Sequence, residues 1–329
     1  MKFYDIRDRR SNWRPFNFIV GGRGIGKSYS AVDFMITEAA GRFLYLRNYE
    51  TQIDTACTPL GNPFRKNAAD SERVIYMKKH KQYADIIEEI EDEKTILGMA
   101  THASRYESLK SMDLSWVDFI FYEEFIEART LNFDQATAIK SIQETCNRNR
   151  ELEGKPPVYM FMLSNAEKLN NPALRGFNLI NVIEGMRKSG QTEWNSKTVH
   201  LELPKSEISE LKAGTALYQT LDDEDPYKKV ALSNDFANDS FYAINKKNIN
   251  EYKPFLCVDN MFIYKHKNAP KYYVCSIPAS YIKRLNTKDQ LITFKSTFAK
   301  IFSILIAKDL IEYESFNIKA AFEQLVLGG

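Results

Sequence analysis

A short glycine-rich segment constrains the fold of this chain more than any other feature. The run FNFIV (residues 16–20) is rich in aromatic and β-branched residues and predicts a buried strand. SYSAVDFMITEAA (residues 28–40) has apolar residues at helical spacing. Between them, residues 21–28 fit the pattern G-x-x-x-x-G-K-S/T at every fixed position. A strand, this loop and a helix in that order predict a site for nucleotide phosphates.

Each fixed position of the loop has a chemical reason. Glycines let backbone N–H groups approach phosphate oxygens without a Cβ clash, and the following helix points its positive dipole end at the anion. Lys27 would place a charge between the β- and γ-phosphates, and the Ser28 hydroxyl would bind Mg²⁺. An accidental glycine turn is the alternative. The predicted phosphate-binding residues are Gly21, Gly22, Arg23, Gly24, Ile25, Gly26, Lys27 and Ser28.

Two acidic residues end a second apolar run, FIFYEEF (residues 119–125). A phosphate-loop enzyme needs a carboxylate at the end of a neighbouring strand to hold the magnesium shell, and often a second one to polarise water. We therefore predict Glu123 as a metal-shell residue and Glu124 as the base that activates the attacking water. Asp118 is excluded because it is expected inside the strand. Two acids that cap an exposed strand end are the alternative.

Two further polar groups are candidates for the same chemistry. LSNA (residues 163–166) ends a third apolar strand, and Ser164 or Asn165 could hydrogen-bond the γ-phosphate or the lytic water. NRNRE (residues 147–151) ends a predicted helix, and an arginine there could stabilise transition-state charge. A turn-forming Ser-Asn pair and a helix-end arginine that favours the dipole are the respective alternatives.

Composition limits what the rest of the chain can be. The 329 residues are 44% hydrophobic, enough for a sizeable core and two domains. We find no apolar run of the roughly 18 residues that a membrane span needs, and no apolar leader near the start. Four scattered cysteines without a CxxC pair predict reduced thiols, and a zinc site is not expected.

The charge distribution separates the second half of the chain from the first. Residues 201–226 carry seven acids against two lysines and are predicted to be a linker. Residues 241–308 carry twelve basic residues against three acids, an excess of +9 that suits a polyanion partner. A lysine-rich solvated surface is the alternative. Aromatic residues in or near this segment are Phe241, Tyr242, Phe255, Phe262, Tyr264, Tyr272 and Tyr273.

The order of elements predicts an architecture. The phosphate-loop strand, its helix and the strand at residues 42–49 begin a parallel α/β sheet. Residues 253–266 and 271–277 are predicted as antiparallel strands joined by a KNAP turn, and residues 294–313 as an amphipathic helix. A two-metal nuclease needs about three or four converging carboxylates. The predicted C-terminal strands offer only Asp259, and the late helices offer Asp309, Glu312 and Glu314, so nucleic-acid binding without cleavage is expected.

The chain resembles the DNA-packaging ATPases of phi29-like small tailed phages over about residues 16–180. The motifs that carry the resemblance, in this order and at these spacings, are NFIVGGRGIGKSYS, FLYLRNY, FIFYEEF, NRNRE and LSNA. The resemblance implies ATP and Mg²⁺ as cofactors and the additional-strand, catalytic-glutamate branch of P-loop NTPases. It also implies a homomeric ring, typically a pentamer, docked on the portal of an empty capsid in the host cytoplasm. Such a ring drives double-stranded DNA inward, in some cases with a structural packaging RNA.

The resemblance also carries over to individual residues. Arg148 falls on an arginine finger that acts on the neighbouring subunit, and Lys110 on a lysine near the subunit interface. Glu123 departs from the family, whose members have Asp there. The resemblance implies a P-loop ATPase domain over residues 1–200, and a degenerate RNase H-type nuclease domain over residues 228–329 after an acidic linker at 201–227.

Two other functions stay open at this point. The chain could be a complete terminase with an active metal-dependent nuclease. It could also be a nucleotide-gated module that binds a portal or an RNA and hydrolyses little ATP. Glu124 argues against the second alternative, because a residue that activates water is not needed for binding alone. No membrane partner is predicted.

Overall fold

The structure, a computed structural model, describes residues 3–127, 131–222, 225–233, 236, 244 and 247–327. Two acids counted in residues 201–226, Asp223 and Glu224, and two aromatic residues named above, Phe241 and Tyr242, lie outside the described residues. The chain divides into two units, one of residues 1–177 with 186–238 and the other of residues 178–185 with 239–329.

The strands of the first unit form one sheet. Along the described chain they are β1 (Phe16–Val20), β2 (Phe43–Arg47), β3 (Val74–Lys79), β4 (Ala84–Ile90), β5 (Glu93–His102), β6 (Phe119–Glu123), β7 (Tyr159–Ser164), β8 (Glu193–Asn195) and β9 (Val199–Glu202). Their spatial order is β3-β4-β5-β2-β6-β7-β1-β9-β8. The six strands from β5 to β9 in this order are parallel, and antiparallel strands extend the sheet at both edges.

Helices connect these strands. They are α1 (Lys27–Thr37), α2 (Glu50–Ala56), α3 (Arg65–Asp70), α4 (Tyr106–Leu109), α5 (Gln135–Asn147), α6 (Pro172–Gly176), α7 (Leu179–Ser189), α8 (Glu207–Ala213), α9 (Ala216–Gln219) and α10 (Pro226–Ser233). Residues 178–185, in which α7 begins, group with the second unit.

The central strands are buried on both faces, which explains their largely apolar sequences. All but the first residue of β1, β6 and β7 are buried, as strands of a parallel sheet covered on both sides must be. Phe121 and Phe161 stack at 5.3 Å between neighbouring strands, and Trp13 meets Phe161 edge-on at 4.9 Å. The sequence prediction of a central, mostly parallel α/β sheet is confirmed.

Two local predictions in the first unit need correction. Asp118 precedes β6 instead of lying inside it, and its carboxylate pairs with Arg42 at 2.7 Å and Arg150 at 2.6 Å. Residues 201–227, predicted to be a linker, contribute the end of β9 and the helices α8 and α9. Glu202 pairs with Ile19 in the register between β9 and β1. The acidic composition of this segment did not indicate its helices, because α8 has a single buried residue, Ile208.

The second unit is built on a five-stranded sheet of described residues. Its elements are β10 (Tyr252–Val258), β11 (Met261–His266), β12 (Tyr272–Cys275), β13 (Lys283–Leu285), α11 (Lys288–Ala307), β14 (Ile311–Tyr313) and α12 (Phe316–Leu327). The order is β13-β10-β11-β12-β14, with β10, β11 and β12 antiparallel to each other. The helices α11 and α12 pack Phe294, Phe302 and Phe322 into the core with one face of this sheet.

Structure and prediction also differ in the second unit. Residues 253–266 form two strands instead of one, because Asp259 (φ 47°) and Asn260 (φ 60°) make a turn with positive φ at both positions. Residues 294–313 were predicted to form one helix. The observed helix α11 ends at Ala307, and residues Ile311–Tyr313 form the strand β14 instead. The predicted antiparallel pairing across the KNAP turn is confirmed between β11 and β12.

Among the residues that the structure describes, one helix is long and apolar enough to cross a membrane, by length and composition alone. The 20-residue α11 has a mean hydropathy of 1.3 in a window of which 11% is buried. The expectation that no segment reaches this length is therefore wrong for α11. The apolar run was missed because Lys295 and Lys300 interrupt it.

Candidate active site

The segment between β1 and α1 is a tight loop that requires glycine at two positions. Gly24 has a φ of 70° and Gly26 a φ of 107°, in the left-handed region that other residues rarely adopt. A Cβ on Gly26 would also stand 3.1 Å from the Cβ of Phe3. The Gly21 N–H donates to the carbonyl oxygen of Ser164 at 3.1 Å, which ties the loop to β7. The loop is thus held at the carboxyl end of the parallel strands, where α1 begins.

Lys27 is folded into this loop. Its ammonium group donates to the carbonyl oxygens of Gly21 at 3.0 Å and Gly22 at 2.6 Å, and to Oδ1 of Asn165 at 3.3 Å. Burial lowers the pKa of Lys27 to about 7, against the opposing effect of the Glu123 carboxylate. A buried ammonium whose partners are two loop carbonyls and one amide oxygen can exchange them for phosphate oxygens.

A cavity of about 730 Å³ opens in front of the loop. Chemically active residues from β1–α1, β6 and β7 line it together: Arg23, Lys27, Ser28, Glu124, Ser164 and Asn165. A volume of this size suits a small molecule. The structure therefore brings together the predicted phosphate loop, the predicted base and the predicted strand-tip residues.

Glu123, the last residue of β6, is the candidate metal-shell residue. Its side chain is 6% exposed, and Oε2 accepts a hydrogen bond from the Tyr45 hydroxyl at 2.9 Å. The other carboxylate oxygen, Oε1, is buried and has no hydrogen-bond partner in the described structure. An orphaned buried carboxylate oxygen beside a phosphate loop fits a Mg²⁺ shell, with the Ser28 hydroxyl as a further oxygen donor.

Glu124 follows in a strained conformation. Its φ is 50°, unusual for a glutamate, and its N–H donates to the carbonyl oxygen of Leu163 at 2.8 Å. The side chain is 58% exposed and forms an ion pair with the guanidinium of Arg47, the last residue of β2. Strain of this kind is often found at functional sites, where it fixes the direction of a reactive side chain.

Arg23, inside the loop, is held by residues from elsewhere in the first unit. Its guanidinium pairs with Glu167 at 3.1 Å and lies 5.7 Å from the ring centroid of Tyr227 on α10. Its carbonyl oxygen accepts a hydrogen bond at 2.6 Å from Lys212 on α8. The phosphate loop is therefore in contact with two helices of the segment that follows β9.

Arg148 and Lys110 lie away from this cavity. Arg148 follows α5 and donates to the carbonyl oxygen of Met112 at 3.0 Å, and Lys110 pairs with Glu107 at 2.7 Å. Met112 lies before β6 in the chain, on the side of its amino end, whereas Glu123 and Glu124 follow at its carboxyl end. The structure therefore does not bring Arg148 to the phosphate loop of its own chain.

The second arginine of NRNRE has a structural position. Arg150 is 15% exposed, pairs with Asp118 at 2.6 Å and donates to the carbonyl oxygens of Val117 at 2.9 Å and Pro156 at 3.0 Å. These bonds fasten the connection between α5 and β7 to the start of β6. The two arginines thus differ: Arg150 stabilises the unit, and Arg148 is exposed.

Sequence reasoning missed three groups at the site. Arg47 pairs with the predicted base, Tyr45 bonds the predicted metal-shell carboxylate, and Lys212 contacts the phosphate loop. Arg47 and Tyr45 belong to the FLYLRNY segment, near the end of a predicted strand. Their positions there could have indicated that they lie near the two acids at the end of β6. Lys212 is 189 residues away from its partner in sequence, and no local pattern indicates the contact.

The strand order and the glycine-rich loop at residues 21–28 define this chain as a protein with a P-loop α/β fold. Two solved structures share the fold over nearly the whole chain. A chain of the bacteriophage Phi-29 viral genome packaging motor assembly matches with a TM-score of 0.65 at 21% identity, covering 98% of this chain and 99% of that one. A chain of the Phi-28 gp11 DNA packaging motor matches with a TM-score of 0.62 at 18% identity, covering 98% of both.

The chain belongs to the Podovirus DNA encapsidation protein (Gp16) family, whose model matches residues 1–324. The DNA packaging protein of Bacillus phage B103 is 29% identical over 245 residues, 72% of this chain and 69% of that protein. The DNA packaging protein of Bacillus phage phi29 is 27% identical over 266 residues, 79% of this chain and 74% of that protein. The resemblance predicted from the motifs is confirmed.

Proposed function

We propose that this protein is an ATP-driven translocase that packages double-stranded viral DNA into a preformed capsid through its portal. The observation that carries the proposal is the single cavity that joins Lys27, Ser28 and Glu124 in a member of a DNA encapsidation family. Steady-state ATP hydrolysis by the purified protein, with and without double-stranded DNA, tests it. Stimulation of hydrolysis by DNA supports translocation.

The chain's own residues account for the chemistry of hydrolysis. Phosphate oxygens replace the carbonyl partners of Lys27, which then holds the β- and γ-phosphates as a full cation. Ser28 and Glu123 would hold Mg²⁺, which would supply positive charge against the charge that develops on the phosphate oxygens. Glu124 takes a proton from the attacking water, and the Asn165 amide orients the water or the γ-phosphate.

Glu124 must leave Arg47 before it can act as a base. In the described structure its carboxylate is paired with the Arg47 guanidinium, so it is not positioned to accept a proton from a water in the cavity. We propose that this pair keeps hydrolysis slow until the site closes around nucleotide and DNA. The exposed position of Glu124 allows its side chain to turn into the cavity without disturbing the buried core.

A ring of subunits would give Arg148 a role that it cannot have in one chain. Arg148 lies on the side of β6 opposite the carboxylates, so it could complete the site of a neighbouring subunit as an arginine finger. Lys110, on the same side, would contact the same neighbour. The proposed assembly is a homomeric ring, typically a pentamer, docked on the procapsid portal in the host cytoplasm.

The proposed class of the first unit is the additional-strand, catalytic-glutamate branch of P-loop NTPases. What supports it is the order of the parallel strands, because β7 lies between the phosphate-loop strand β1 and the carboxylate strand β6. We propose domains at residues 1–200 and 228–329, although the intervening segment is helical. The antiparallel β10-β11-β12 meander supports a degenerate RNase H-type domain.

Two lysines on the second unit, which have no ion-pair partner among the described residues, are candidates for binding a nucleic acid. Lys253 and Lys265 stand directly opposite each other in the β10–β11 ladder, both exposed, where like charges destabilise the pairing. Phe255, 39% exposed, lies beside Lys253. A phosphate backbone would relieve the repulsion and would bind in a salt-dependent, sequence-independent way. Double-stranded DNA and a structural packaging RNA are the proposed partners.

Three other aromatic residues of the basic segment have structural positions. Phe262, Tyr264 and Tyr273 are buried on the second face of the sheet, so they are core residues. Replacing Lys253 and Lys265 by Gln in the full chain should weaken nucleic-acid binding and lower its dependence on salt. The exposed Lys308, replaced by Gln, is the matched control.

Active nuclease chemistry is the second candidate function, and the carboxylates of the second unit do not favour it. Glu312 pairs with Lys247 at 3.0 Å, and Glu314 accepts from the Ser276 hydroxyl at 2.6 Å. Among the described residues, no group of three His, Cys, Asp or Glu could hold a metal ion. Cleavage of plasmid DNA with Mn²⁺ or Mg²⁺ would establish the nuclease. A nucleotide-gated portal or RNA-binding module would show binding with little ATP turnover.

A further inference from the structure

The cavity in front of the phosphate loop is lined by two aromatic side chains that phosphate chemistry does not use. Phe3 and Tyr29 both line this cavity, and they are 51% and 40% exposed. Large aromatic side chains that stay open in a concave site favour a planar ligand, because stacking buries both faces of contact. The same cavity is lined by Lys27 and Ser28, so a ligand there can also hold its phosphates in the loop.

Phe3 is held beside the loop by its neighbour in sequence. The Tyr4 N–H donates to the carbonyl oxygen of Ile25 at 2.9 Å, which fastens the segment to the loop backbone. The Cβ of Phe3 lies so close to Gly26 that a side chain there would meet it at 3.1 Å. The backbone position of Phe3 is therefore fixed, while its ring stays half open in the cavity.

Tyr29 is oriented by α3. It lies two residues after Lys27 in the first turn of α1, and its hydroxyl donates to Oδ2 of Asp70 at 2.9 Å. The ammonium of Lys66 lies 5.3 Å from the centroid of the Tyr29 ring. Lys66 and Asp70 also line the cavity, so a hydrogen-bond donor and an acceptor lie beside the Tyr29 ring.

We infer that Phe3 and Tyr29 form the subsite for the purine base of the bound nucleotide, an inference that rests on the proposed phosphate site. A nucleotide whose phosphates occupy the loop must extend its ribose and base out of it. The 730 Å³ cavity that can receive them is lined by these two rings. Purines stack over a larger area than pyrimidines, so the subsite should favour ATP over CTP.

The test compares ATP with inorganic tripolyphosphate, each with Mg²⁺, by titration calorimetry on the full-length protein. Tripolyphosphate occupies the loop but has no base. Phe3→Ala and Tyr29→Ala should each weaken ATP binding about ten-fold, the usual effect of losing one stacking ring. Binding of tripolyphosphate should change by less than about two-fold, because no phosphate contact is removed. CTP should bind the unaltered protein more weakly than ATP.

Three variants serve as controls. Phe3→Trp and Tyr29→Phe keep an aromatic ring and should bind ATP nearly as the unaltered protein does. Tyr29→Phe also removes the bond to Asp70, so a loss as large as that of Tyr29→Ala would assign the effect to that bond and overturn the stacking. Leu60→Ala removes an 85% exposed apolar side chain outside the cavity and should change neither affinity.

The remaining outcomes separate the subsite from the proposed function. Unchanged ATP affinity in Phe3→Ala and Tyr29→Ala would overturn the base subsite. Equal weakening of ATP and tripolyphosphate would do so as well, and would assign Phe3 to loop packing. If the unaltered protein bound tripolyphosphate as tightly as ATP, only the base subsite would fail. If it bound neither, the phosphate site itself would be wrong.

Discussion

Arg47 and Glu124 form an ion pair across the carboxyl ends of two neighbouring strands, β2 and β6. The same guanidinium lies 3.8 Å from the buried carboxylate of Glu123. One arginine therefore partly neutralises both the candidate base and the candidate metal-shell residue. Its 19% exposed side chain is fixed at the end of β2, so release of Glu124 requires a movement of Glu124 itself.

Replacing Arg47 with Met keeps most of the aliphatic stem and removes the ion pair. We expect the rate of ATP hydrolysis without DNA to rise several-fold, because Glu124 is then free to polarise water. Stimulation by DNA should shrink correspondingly. Steady-state phosphate release measures both rates. A fall to the level of Glu124→Gln would instead make Arg47 part of the hydrolytic chemistry.

The two arginines of NRNRE should respond differently to replacement by alanine. Arg150→Ala removes a nearly buried ion pair with Asp118 and leaves that carboxylate with the exposed Arg42, so it should lower the free energy of unfolding by about 2–4 kcal/mol. Arg148→Ala should leave stability within about 0.5 kcal/mol and abolish ATP hydrolysis. Urea unfolding and phosphate release distinguish them. Equal losses of stability would contradict the assignment of Arg148 to catalysis.

Mixed subunits test whether Arg148 acts between chains. Arg148→Ala and Lys27→Ala subunits should each be inactive alone. In a mixed ring, some interfaces combine an intact phosphate loop with an intact arginine, so part of the ATPase activity should return. Failure to recover activity, with mixed assembly verified by differential tags, would favour a role for Arg148 within its own chain.

Lys27 predicts a dependence of ATP affinity on pH. Burial lowers its pKa to about 7 in the nucleotide-free protein, and the phosphates of ATP favour the charged form. Binding above this pH must therefore take up a proton, and affinity should fall up to about ten-fold per pH unit between about pH 7.5 and 9. Calorimetry in buffers of different ionisation enthalpy measures the uptake. Affinity that does not change with pH would mean that Lys27 stays charged without nucleotide.

Glu202 predicts a dependence of stability on pH. Its 4% exposed side chain accepts from the Tyr4 hydroxyl at 2.8 Å, and burial raises its pKa to about 7. The folded state thus holds the proton more tightly, so this carboxyl lowers the free energy of unfolding as pH rises from about 4.5 to 7. Glu202→Gln keeps an acceptor and should stabilise the protein at pH 8 relative to pH 5 by up to about 3 kcal/mol.

Urea unfolding at the two pH values measures this difference. Glu210→Gln, on the exposed face of α8, is the control and should show no such difference between the two pH values. A Glu202→Gln variant that gains no more stability at pH 8 than at pH 5 would show that the carboxyl is ionised normally despite its burial.

The sequence was sufficient for the phosphate loop because local features determine it. Continuous apolar runs such as FNFIV predict strands of a covered parallel sheet, and the glycines at 24 and 26 are required by their own φ angles. The acidic pair at the end of β6 was predictable for the same reason. Each of these predictions depends on residues that are adjacent in the chain.

Features that depend on the arrangement of strands were not predictable in the same way. Arg47 meets Glu124 only because β2 lies beside β6, and Lys212 meets the loop from a segment whose acidic composition predicted a linker. The Asp259–Asn260 turn was present as a local signal but was overlooked within a long apolar run. Tertiary contacts and one missed turn thus account for most of the differences.

The most direct measurement of the central claim is steady-state ATP hydrolysis by the purified protein with and without double-stranded DNA, beside Lys27→Ala and Glu124→Gln. We expect DNA-stimulated hydrolysis by the unaltered protein and none by Lys27→Ala. Glu124→Gln should still bind ATP but hydrolyse it about 10²–10⁴-fold more slowly, the usual contribution of a general base. Hydrolysis by Glu124→Gln at the unaltered rate, or no response to DNA, would contradict the account.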